Sequence, residues 1–246
     1  MTKNLVPETV KTLGGEMPKV PFSAYDVFGC LIPGFILIAA VDFAVGKHWL
    51  FTDNPGVVLI FFWTITAYII GQILSGASYS ALEKGIVGRW LRKPSVNLFN
   101  RHPNYWIRLV FSGYCKLLPN KIRSEVRQKA KTRGITKSGE VLFLHAFGKV
   151  KQQPDLMARL ATFLYLYGFC RATSLALILA ALILLIASVI HYTLDKTMWG
   201  LIAVAAAVGM FYRYLMFYRL YSQELFMTYA ELPLAGGPNG NQNTRR

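Results

Sequence analysis

The chain has 246 residues, 54% of them hydrophobic, with 27 Lys or Arg against 12 Asp or Glu and a formal net charge of +15. Its mean hydropathy of +0.36, together with apolar blocks of about 20 residues, excludes an ordinary soluble domain and overrides the globular prior set by length. The sequence predicts an all-α, polytopic membrane protein.

Residues 1–26 form an N-terminal segment whose Lys3, Lys11 and Lys19 are balanced by Glu8, Glu16 and Asp26. With no basic lead-in and no small-x-small site after it, the first apolar block, residues 27–46, reads as an uncleaved span and not as a signal peptide. Pro33 bends such a helix without forbidding it. Asp26 stands where a carboxylate caps a helix start, with a charge at a cytoplasmic pore mouth as the alternative. Asp42, about one turn from the far end, is the second pore candidate: an acid there faces water or a partner, or is an interfacial charge.

The second span, residues 57–76, carries only hydroxyls and one amide as polar groups (Thr64, Thr66, Tyr68, Gln72). The third, "ATSLALILAALILLIASVI" at 172–190, has no charge and eleven Leu, Ile or Val, enough to insert unaided. In the fourth, residues 197–217, Arg213 sits near one end, within snorkelling reach of headgroups. Alanines at four-residue steps (Ala172, Ala176, Ala180; Ala203, Ala207) permit close helix contact, within the last hairpin or between copies.

Between spans two and three, residues 77–171 hold eighteen Lys or Arg against Glu83, Glu125, Glu140 and Asp155, whereas the two short loops are nearly neutral. The positive-inside rule then predicts a basic, helical cytoplasmic domain here, both termini cytoplasmic, and a bacterial inner-membrane location. "SYSALEKGIVGRWL" extends the second span, "PNYWIRLVFSGYCKLL" and "SGEVLFLHAFGKV" have helical spacing, and Ile122, Val126 and Ala130 line one side of "KIRSEVRQKAKTRGITK". From Pro154 a single helix of more than 30 residues runs into the third span. The fourth runs on as a cytoplasmic extension over 218–235, before a tail, 236–246, with almost nothing to bury.

The run at 121–137 has two readings. Its charge retains the loop and solvates a helix face; or Lys121, Arg123, Arg127, Lys129, Lys131 and Arg133 form an anion site for lipid headgroups, a nucleotide or nucleic acid. Tyr105, Trp106, Phe111 and Tyr114 read as core or interfacial anchors, with base stacking as the lesser alternative. Cys30, Cys115 and Cys170 share no metal or redox spacing, and His48, His102, His145 and His191 fall on opposite sides of the membrane, so neither metal nor cofactor is expected. The nearest P-loop spacing, Gly134 to Gly139, is followed by Glu140 instead of lysine. No catalytic constellation stands out, and the sequence predicts a non-enzyme.

"AYDVFGCLIPGF", "YGFCRATSLAL" and "RYLMFYRLYSQELFMTYA" resemble segments of the membrane components of bacterial antiphage (abortive infection) systems of the Hailong and signalling-nucleotide types. The resemblance implies a ligand-controlled homo-oligomer that permeabilises the inner membrane, sensing a nucleotide or oligonucleotide, with a partner protein encoded in the same operon; it assigns no individual site residue. A non-conducting adaptor that recruits nucleic acid or a protein is the competing expectation.

Overall fold

The computed structural model describes residues 24–47, 49–50, 56–135 and 139–232. Among them every regular element is helical: α1 (Ala24–Val45), α2 (Val57–Ser78), a π-helical segment (Tyr79–Leu91), α3 (Pro94–Asn97), α4 (Tyr105–Val110), α5 (Asn120–Lys131), α6 (Glu140–Val150), α7 (Pro154–His191) and α8 (Leu194–Glu231). Three stretches are long and apolar enough to cross a membrane: Val57–Asn97, Arg159–His191 and Leu194–Glu231. They point to a membrane protein and contain the three later expected spans; the first expected span lies on α1, which is apolar over Gly29–Val45.

Glycine sets the first helix crossing. A Cβ on Gly34 would sit 1.8 Å from the Ala67 carbonyl oxygen, and one on Gly71 would sit 1.8 Å from that of Cys30. Cys30 with Gly34, and Ala67 with Gly71, form two four-residue steps of small residues facing each other in antiparallel order, so the two backbones touch. At the last hairpin the alanines serve the same end. Ala172, Ala176, Ala180, Ala203 and Ala207 are all buried, and the Ser174 hydroxyl donates to the Ala207 carbonyl at 3.1 Å. The four-residue alanine pattern is thus used inside one chain.

Depth follows from helix rise. At 1.5 Å per residue, Arg171 lies about 30 Å from His191 on α7, and Tyr212 about 27 Å from Leu194 on α8, each close to one hydrocarbon thickness. The 22 residues of α2 cover a similar distance before the π-helical segment begins. Each of the three helices thus has an apolar length sufficient to cross a bilayer, and the packing changes near the Ser78–Arg171 contact at the end of that length. On one side lies an alanine-rich cluster including Ala40, Ala44, Ala180 and Leu184. Near that contact lies an aromatic cluster with Val87, Tyr114, Tyr214 and Leu215. Beyond it Leu98, Phe99, Val126, Leu142, Leu225 and Phe226 belong to the largest core, where each fully buried Leu or Phe contributes about 1.5–3 kcal/mol.

That largest core joins two regions that the sequence kept apart: the 77–171 connection and the C-terminal half of α8. The expected long helices are present, 38 residues each in α7 and α8. The helix expected from Pro103 is shorter, beginning at Tyr105 because the Asn104 side chain accepts the Trp106 N–H and ending at Val110. Phe111 leaves the helix with its ring stacked on Tyr212, centroids 6.3 Å apart. The expectations for residues 1–23, His48, Lys137 and the 236–246 tail lie outside the described residues, as does the side chain of Asp26, whose backbone is in the first turn of α1.

Candidate functional site

The basic helix α5 exists because Ile122, Val126 and Ala130 recur at four-residue steps and pack into the largest core, Val126 and Ala130 being fully buried. The other faces carry the six expected cations, and these divide by environment. Lys121, Arg127, Lys131 and Arg133 are exposed and Arg123 is half-buried. Arg123 Nη2 donates to Asn120 Oδ1 at 2.6 Å. The Arg127 guanidinium lies over the Phe99 ring at 5.7 Å and donates to the Phe99 carbonyl at 3.3 Å.

Lys129 departs most from the expected anion site. Its Nζ donates to the carbonyls of Tyr229 at 3.5 Å, Leu232 at 2.5 Å and Ala230. Those carbonyls belong to the end of α8, which has no intrahelical partners for them and carries the negative end of the helix dipole. Lys129 is thus a cap for α8 with little of its ammonium left for a ligand. Burial lowers its pKa, and Glu125 pulls the other way. At the opposite end of the molecule Lys196 does the same for α1, donating to the Ala44 carbonyl at 2.8 Å.

The sequence reading missed a second site, at the level where α2, α7 and α8 leave the apolar layer. Arg171 of α7 pairs with Glu83 of the π-helical segment, their side chains 10% and 12% exposed. Arg171 Nε donates to Ser78 Oγ at 3.2 Å and Nη1 to the Tyr167 hydroxyl at 3.4 Å, while its guanidinium lies 5.5 Å from the Tyr79 ring. Tyr218 donates to Glu83 Oε1 at 3.4 Å. The Tyr167 ring stacks on Tyr218 at 5.2 Å, Tyr214 at 6.0 Å and Tyr221 at 6.4 Å. Ser78 and Glu83 are five residues apart, the hydrogen-bonding step of a π-helix, so both face one guanidinium. The signals in the sequence are an acid inside an apolar helix continuation and tyrosines spaced by three and four on α8.

The π-helical segment ends on a set of side-chain donors. Tyr114 Oη donates to the Arg92 carbonyl at 2.7 Å, Asn97 Nδ2 to that of Leu91 at 2.8 Å, and His102 Nε2 lies 3.2 Å from that of Trp90. Arg92 itself has φ +61°. Burial first, then neighbouring Tyr218 and Tyr214, holds the Tyr114 pKa well above the ordinary tyrosine value. Tyr114 and Phe111 are therefore packing residues, whereas Tyr105 and Trp106 are exposed.

Asp42 is 3% exposed, and its two carboxylate oxygens accept the backbone N–H groups of Trp49 at 2.8 Å and Leu50 at 3.2 Å. The carboxylate ties the chain that leaves α1 back onto that helix, one backbone donor on each oxygen. No protein-family model, no curated protein and no solved structure matches the chain.

Proposed function

We propose that the chain is a four-span protein of a bacterial inner membrane, with both termini and the basic helical region in the cytoplasm, acting in antiphage defence. In this reading several copies surround a conducting path that opens when a phosphate-rich ligand docks on α5. It is a non-enzymatic effector, and its ligand is supplied by a partner protein from the same operon. One observation carries the proposal: the helix bearing the exposed cations also grips the end of α8 through Lys129, so a ligand on α5 acts on a helix that continues through the membrane. A ligand shifts such an equilibrium only by binding one arrangement better than the other, and the Lys129 cap is a contact able to differ between them.

Lys121 and Lys131 are about 15 Å apart along α5. A single nucleotide reaches one end of that stripe; an extended polyanion reaches both, which favours an oligonucleotide. Planar-bilayer recordings of the purified protein test the reading. Stepwise currents are expected on adding short oligonucleotides, and their loss in a K121E/K131E/R133E variant. Silence under every nucleotide and nucleic-acid ligand overturns the channel, and binding without current leaves the adaptor in its place.

A further inference from the structure

Two features serve neither the helix packing nor the basic face of α5, and they meet at α4. The first is an apolar groove of about 510 Å³, within the size range of small-molecule sites. Leu82 and Ile86 of the π-helical segment, Val110 and Phe111 at the end of α4, Leu185 of α7 and Val208 of α8 are among its walls. The second is a patch beside it, in which Trp90 is 73% exposed and Trp106 71%, with Tyr105, Leu109 and Val110 also turned outward.

The Phe111–Tyr212 stack fixes the level of both, because Tyr212 is about one hydrocarbon thickness from the start of α8. Exposed Trp and Tyr at that level are what a headgroup layer selects. The charge agrees, since residues 84–124 carry nine Lys or Arg and no acid. Arg108 is one turn before Phe111, and Arg213 directly follows Tyr212. Each lies over a ring, Tyr105 at 5.7 Å and Phe217 at 5.2 Å, and among the described residues neither joins an ion pair.

We propose that this groove holds one anionic diacyl phospholipid, with an acyl chain along the apolar walls and the phosphate at the end marked by the Phe111–Tyr212 stack, near which Arg108 and Arg213 stand in sequence. The inference rests on α7 and α8 crossing the membrane, not on ligand-gated conduction. A bound lipid here touches the π-helical segment, α4, α7 and α8 at once, and fixes α4 in the plane of the headgroups.

Native mass spectrometry of the full-length protein in detergent tests it, with phosphatidylglycerol and phosphatidylcholine added at equal mole ratio. Wild type is expected to retain phosphatidylglycerol about tenfold better. An R108Q/R213Q variant should bring the two lipids within about twofold, with phosphatidylcholine retention unchanged. A Val208→Trp variant, which fills the groove, should lose both lipids, and millimolar glycerol 3-phosphate should displace neither. Equal retention of the two lipids by wild type overturns the proposal, whether or not the variants fold. So does an undiminished preference in R108Q/R213Q, full retention by Val208→Trp, or displacement by the soluble phosphate. Bilayer currents do not enter the outcome.

Discussion

Arg171 and Glu83, 88 residues apart in sequence, form an ion pair nearly closed off from solvent where α7 meets the π-helical segment. The pair is enclosed by Tyr79, Tyr167 and Tyr218, which supply ring faces and hydroxyls to the two charges. Desolvating both ions costs several kcal/mol, offset only while both partners remain.

Removing one partner therefore costs more than removing both. Glu83→Gln should lower stability by about 3–5 kcal/mol by stranding a buried guanidinium. A double variant, Glu83→Gln with Arg171→Met, should recover most of that loss. Thermal unfolding of the detergent-solubilised protein, followed by circular dichroism, measures both, and a double variant no better than the single one contradicts the pairing.

The α1–α2 crossing gives a sharper steric contrast. Gly71→Ala puts a methyl group against the Cys30 carbonyl, so the helices must separate at a cost of about 1–3 kcal/mol. Gly76→Ala, with nothing within 4 Å, should be neutral or gain up to about 1 kcal/mol from helix propensity. Unfolding midpoints of the two variants should move in opposite directions, or at least differ clearly.

His145 of α6 makes the largest core sensitive to acid. Its Nε2 is buried without a hydrogen-bond partner, and its ring meets Tyr229 edge-on at 5.8 Å. Burial, then Arg133 and Lys149, lowers its pKa below the ordinary histidine value of 6.5. Between that lowered value and 6.5 the unfolded chain binds more protons than the folded one, so stability falls as pH drops through this window. Unfolding midpoints between pH 7.5 and 5 should show the decline in wild type and a shallower one in His145→Gln.

Binding of single-stranded oligonucleotide to α5 should be steeply salt-dependent if the exposed cations carry it. With Lys121, Lys131 and Arg133 each neutralising one phosphate, the slope of log K against log salt should be about −2. Each charge-removing substitution should make the slope shallower by about 0.7. Lys129→Met should instead lower stability by loosening the end of α8 while leaving the slope nearly unchanged. Fluorescence anisotropy across a salt series separates the two effects.

The apolar layer was legible because a membrane helix announces itself locally, in some 20 consecutive residues, and α7 and α8 were legible as long helices because nothing between Pro154 and His191 or between Leu194 and Glu231 stops them. The α5 face followed from Ile122, Val126 and Ala130 alone. What escaped was the pairing of distant positions. Nothing near Lys129 shows that the end of α8, a hundred residues on, supplies its acceptors. Glu83 and Arg171 each resemble a loop charge until α2 and α7 are side by side. Gly34 and Gly71 look like ordinary helix interruptions until the hairpin brings Gly34 against the backbone of Ala67 and Gly71 against that of Cys30. Periodicity reports which face of a helix is buried, not what buries it.

α7 threads all three cores, contributing Leu160 to the largest, Cys170 to the aromatic one and Ala180 and Leu184 to the alanine-rich one. A single rod seated in three separate beds links them, so a side chain removed near Leu160 is a change made on the same continuous helix that carries Cys170, Ala180 and Leu184.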